Sequence, residues 1–73
     1  MKRLQYNMAM KLISTGGKVS LKDLSLEIRD RVNHVCELDL FVEGKKTVLF
    51  LGSREDCVSA ARDYLEMRFN ITD

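Results

Sequence analysis

Residues Thr47–Glu66 read TVLFLGSREDCVSAARDYLE. Four apolar residues, Val48 to Leu51, end at Gly52, and a hydroxyl, Ser53, stands three residues before Asp56. A short apolar run bounded by glycine reads as a strand. A serine followed three residues later by an acid reads as a helix start close to a capping box. Val58, Ala61, Leu65 and Phe69 then recur at steps of three and four, widened by Cys57 and Tyr64. Glu55, Ser59, Arg62, Asp63 and Glu66 fall on the opposite face. The segment is therefore a strand that feeds directly into an amphipathic helix spanning 54–69.

Upstream, residues 35–42 (VCELDLFV) alternate. Cys36, Leu38, Leu40 and Val42 share one face, and Glu37, Asp39 and Phe41 share the other. Glu43-Gly44-Lys45-Lys46 is a glycine-containing turn, so 35–42 and 47–51 are expected to pair as an antiparallel hairpin around Gly44.

The N-terminal half is less sharply patterned. In residues 4–13 (LQYNMAMKLI), Leu4, Tyr6, Met8, Met10 and Leu12 recur at period 2, which predicts a strand with one buried face. A helix through Leu4, Met8 and Leu12 is the alternative, and the methionine and alanine content favours it. Gly16-Gly17 ends this element or forms a hairpin turn into Val19 and Leu21. Ser20 and Asp23 resemble a helix start, and Leu21, Leu24, Ile28, Val32 and Val35 make a helical stripe, which predicts a helix over 20–33. Leu26 lies off that stripe, and Leu24, Leu26 and Ile28 also alternate as a strand would. The expected fold is one α+β domain over residues 1–73, a small two-layer sandwich. Its antiparallel sheet carries helices on one face, in the order β-α-β-β-α.

Composition narrows the function classes. At 73 residues there is room for one core, with 45% hydrophobic and 32% charged residues, values ordinary for a globular domain. No apolar run approaches the ~20 residues that cross a bilayer, and none behind Lys2 and Arg3 resembles a signal peptide. A cytoplasmic protein without a membrane partner is expected. Cys36 and Cys57 are expected as reduced core thiols. His34 and Cys36 lack a second ligand cluster, so neither metal nor cofactor is expected. His34 also has no partner at a useful spacing for acid–base work, so no enzyme and no catalytic residue is expected.

The net charge is only +1, with 12 basic and 11 acidic residues, but residues 1–22 carry Lys2, Arg3, Lys11, Lys18 and Lys22 and no acid. Lys11, Lys18 and Lys22 around Gly16-Gly17 form the best anion site, since glycine N–H groups and ammoniums could position phosphates. Lys45 and Lys46 at the hairpin tip could add contacts. Tyr6 could stack on a base if it faced outward, although its phase with Met8 and Met10 argues for burial.

Residues 35–69 resemble the C-terminal half of a KH (K-homology) domain, the small RNA-binding fold. The carriers are the strand Val48-Leu49-Phe50-Leu51 meeting Gly52, then Ser53-Arg54-Glu55, then Val58, Ala61 and Leu65 on the last helix. The nucleotide-clamping GxxG loop of that family is missing: neither Gly16 nor Gly17 has a glycine three positions away. The resemblance thus implies a degenerate, KH-like binding module. One expectation is contact with single-stranded RNA through Lys11, Gly16, Gly17, Lys18, Lys22, Lys45 and Lys46. The other is a protein-interaction or homodimerisation module using Leu26, Phe41 and an exposed sheet edge.

Overall fold

The computed structural model describes residues 1–73. Elements follow in the order α1 (Arg3–Gly16), β1 (Lys18–Ser20), β2 (Ser25–Asp30), β3 (Cys36–Val42), β4 (Lys45–Gly52) and α2 (Arg54–Arg68). The four strands form one antiparallel sheet in chain order, a meander with β1 and β4 at its edges. Helix α1 lies over β1 and β2, α2 over β2 to β4, and the two helices touch. The domain is an α+β two-layer sandwich with both helices on one face.

The C-terminal half has the expected elements. Val42 pairs with Lys45 across Glu43 and Gly44, both at positive φ (51° and 80°), as a two-residue type I′ turn requires. Ser53 caps α2: its hydroxyl accepts a hydrogen bond from the Asp56 N–H at 3.1 Å. Glu55 and Asp56 in the first turn and Arg68 in the last suit the helix dipole. Cys57, Ala61 and Leu65 are buried. In β4 the register slips by one residue, because Leu38 faces Phe50 and Asp39 faces Val48. Leu49 is the extra residue of a β-bulge and packs against the core.

The N-terminal half departs from expectation twice. Residues 4–13 lie in helix α1, not in a strand. Leucine, methionine, glutamine, lysine and alanine are strong helix formers, and there is no β-branched residue before Ile13. The Gln5 side chain accepts from the Lys2 N–H at 3.2 Å. Gly17 ends the helix in the left-handed conformation (φ 73°), donating its N–H to the Ile13 carbonyl. The buried stripe is Tyr6, Ala9 and Ile13, whereas Leu4, Met8 and Leu12 point outward.

Residues 20–33 form no helix. Ser20 ends β1, Leu21–Leu24 turn the chain, and Ser25–Asp30 is β2. The Leu21 N–H donates to the Leu24 carbonyl at 2.7 Å, closing the hairpin. What read as a capped helix start is this loop, and Leu24, Leu26 and Ile28 alternate into the core. Leu26 is wholly buried beneath the helices, so it is not a surface contact in this fold. The observed order is accordingly α-β-β-β-β-α rather than β-α-β-β-α. A second tight turn, Val32–Val35, joins β2 to β3 with Asn33 and His34 both at positive φ.

Ile13, Leu26, Leu38, Leu65 and Cys57 are fully buried and centre the core between sheet and helices. Each of the four aliphatic side chains contributes about 1.5–3 kcal/mol by leaving water. Both thiols are free, and burial pushes both upward in pKa, which keeps them protonated and unreactive.

Candidate interaction surfaces

The basic turn does not assemble as an anion cradle. The Gly17 N–H is spent on Ile13, and its carbonyl accepts from the Ile28 N–H at 2.6 Å. A Cβ placed on Gly17 would stand 3.3 Å from both the Arg54 guanidinium and the Ile28 carbonyl oxygen, so this corner is filled by the chain itself. Lys11 lies on the exposed side of α1, Lys18 on β1 opposite Glu27, and Lys22 in the β1–β2 loop. Lys45 and Lys46 lie on β4 at the other edge, about 14 Å away at ~4.8 Å per strand. Lys11 and Lys22 therefore lie on the helix side, Lys18 faces the opposite side of the sheet beside Glu27, and Lys45 and Lys46 stand at the far edge, so these five lysines are not gathered at one site. Tyr6 is buried, its hydroxyl donating to Glu66 Oε2 at 2.7 Å; burial, that bond and the Glu66 charge raise its pKa.

The sheet face away from the helices carries Glu37, Asp39 and Phe41 on β3, as the alternation of residues 35–42 predicts. Phe41 is half-buried opposite Lys46 and Ser25. Asp39 is wholly buried among its neighbours, with neither carboxylate oxygen hydrogen-bonded and Arg29 Nη1 3.9 Å away. Burial first, then the neighbouring Glu37 carboxylate, push Asp39 up to about 6. Glu37 moves the other way. The adjacent Asp39 carboxyl, a donor once protonated, lowers it first, and Lys46 (3.5 Å) and Arg31 (3.1 Å) add to this against the cost of burial. The pair holds one proton readily, because a protonated Asp39 can donate to Glu37. Acids at the centre of this face repel a phosphate backbone.

The two sheet edges differ. Edge strand β1 has three residues, carries Lys18 and is overlaid by α1. Edge strand β4 has eight; Lys45 and Lys46 open it, and from Thr47 to Gly52 it contains neither charge nor proline. Val48 and Leu51 are 45% and 51% exposed on the face away from the helices, while Phe50 pairs with Leu38 on the helix side and is also exposed. Short, charged edges resist further pairing, and long apolar edges invite it. The uncharged run TVLFL was visible in the sequence, but its position at an edge depends on β1 and β2, which were read as parts of a turn and a helix.

A fourth surface lies where α1 overhangs the β1–β2 loop. Met1, Met8, Leu12, Val19, Leu21 and Phe69 line an open groove of about 450 Å³. Leu4, Met8 and Leu12 continue its apolar floor along the outside of α1, being 70%, 58% and 51% exposed.

Comparison with protein-family models, with curated proteins and with solved structures finds no match.

Proposed function

We propose that this chain is a non-enzymatic protein-interaction module that pairs with a second copy of itself through β4. The observation that carries the reading is the asymmetry of the sheet edges: β1 has three residues, one of them charged, whereas β4 has eight, of which Thr47 to Gly52 form an uncharged run with Val48, Phe50 and Leu51 exposed. Antiparallel pairing of β4 with its symmetry mate would satisfy the outward backbone groups of both copies and give one eight-stranded sheet. It would cover Val48, Phe50 and Leu51. Charge supports the orientation. Such pairing brings Lys45 of one copy towards the start of α2 in the other, where Glu55 and Asp56 are exposed and free of intramolecular ion pairs. The resemblance of residues 35–69 to the scaffold half of a KH domain fits this reading, since degenerate members of that family serve as protein-contact modules.

Sedimentation velocity over a concentration series tests it. The expected result is a mass that rises from one chain to two, and a Val48→Lys, Leu51→Lys double variant that stays at one chain with unchanged circular dichroism. The RNA reading has its own arm, a salt titration against a random single-stranded RNA pool. Each single-strand phosphate contact adds roughly 0.7 to the slope of log affinity against log salt. A wild-type chain that stays monomeric and binds the pool would overturn the proposal. So would a salt slope flattened by up to about 2 units on replacing Lys11, Lys18 and Lys22 by alanine.

A further inference from the structure

The groove beside α1 lies away from β4 and plays no part in the pairing proposed above. Leu4, Met8 and Leu12 form a second apolar stripe of α1 that faces outward, while Tyr6, Ala9, Met10 and Ile13 face the core. A helix that turns a second apolar stripe to water leaves surface to be covered. Three observations define the cover. The surface is concave: α1 is one wall, Leu21 and Lys22 of the β1–β2 loop are the other, and Phe69 helps close it. A concave apolar channel suits the ridge of a helix, which reads as i, i+3, i+4 anchors, better than it suits the plane of a lipid surface. The floor is rich in methionine, whose unbranched, polarisable side chain adapts to an incoming surface.

Two lysines flank the groove. Lys11 follows Met8 by three residues on the outer side of α1, just beyond the groove's lining, and Lys22 stands on the opposite lip. Neither takes part in an ion pair, and residues 1–22 contain no acid. Asp23 is the single carboxylate lining the groove. We infer that the groove between α1 and the β1–β2 loop is a docking site for an acidic amphipathic helix of a protein partner. The apolar ridge of that helix would lie on Met8 and Leu12, and its flanking carboxylates would meet Lys11 and Lys22.

Two sets of synthetic helical peptides test this, with identical leucine positions and with glutamate or lysine at the polar positions. Each set is titrated into isotope-labelled full-length chain and followed by amide chemical shifts. The acidic set should bind, shifting α1 and the β1–β2 loop and leaving β4 unmoved, and its affinity should fall as salt rises. Lys11→Glu with Lys22→Glu should weaken it at least tenfold, and Met8→Glu should do the same without altering the fold by circular dichroism. Leu12→Glu serves in its place if Met8→Glu does not fold. Equal affinity for the two peptide sets, shifts centred on β4, or no binding tighter than about 1 mM by any acidic peptide would overturn the inference. So would co-sedimentation with vesicles of phosphatidylglycerol and phosphatidylcholine in the absence of peptide binding.

Discussion

Asp39 is the residue whose environment departs furthest from what its chemistry prefers. A carboxylate with no hydrogen bond and no exposure destabilises the fold when ionised. Its pKa rises from 3.8 in the free state to about 6 when folded. A raised folded-state pKa means the favourable contribution is complete below about pH 4 and is lost as pH climbs through about 6. Glu37 has the opposite sign: it is lowered from 4.5, so its contribution holds above that value and is lost on acidification. At pH 7 Glu37 keeps what Lys46 and Arg31 contribute, and the Asp39 penalty is complete. Asp39→Asn keeps the shape and supplies an N–H to Glu37. At about 1.4 kcal/mol per pKa unit, it should raise stability at pH 7 by roughly 3 kcal/mol and flatten the profile between about pH 4 and pH 6. Urea melts at a series of pH values read this directly, and an unchanged midpoint at pH 7 would refute it.

Among the elements, β3, β4 and α2 were legible in the sequence because each carries two independent signals. The hairpin has alternation and Glu43-Gly44; the helix has its stripe and the Ser53 cap. In α1 two periods competed. Leu4, Tyr6, Met8, Met10 and Leu12 imitate a strand, and the small buried residue that sets the true stripe, Ala9, carries little hydropathy. In β1 and β2 the misleading residues were Ser20 and Asp23, which serve a hairpin loop as readily as a cap. The candidate site was read in proportion. The alternation of residues 35–42 put Phe41 on the face away from the helices, but neither the edge position of β4 nor the burial of Leu26 was recoverable without β1 and β2, and the role of Gly17 depends on the end of α1. Paired substitutions test that role. Gly17→Ala meets a left-handed φ, the fixed Ile28 carbonyl and the Arg54 guanidinium, and should cost about 1–3 kcal/mol. Gly16→Ala lies inside the helix with nothing within 4 Å and should gain up to about 1 kcal/mol. Equal effects in thermal melts would mean that Gly17 is not the cap.

For the whole molecule, the helices shelter one face of the sheet and leave β1 and β4 as its two edges. Chains this small bury a limited share of their surface, and assembly is one way to bury more. The account rests on β4 as the place where that happens. An isotope-filtered NOE spectrum of an equal mixture of labelled and unlabelled chains reads it most directly, because only contacts between copies survive the filter. Antiparallel pairing along residues 45–52 predicts intermolecular contacts that run in opposite directions on the two copies, with the Lys46 region of one near the Leu51 region of the other. Absence of any contact between copies at concentrations well above micromolar, or contacts confined to Leu4, Met8 and Leu12 of α1, would contradict it.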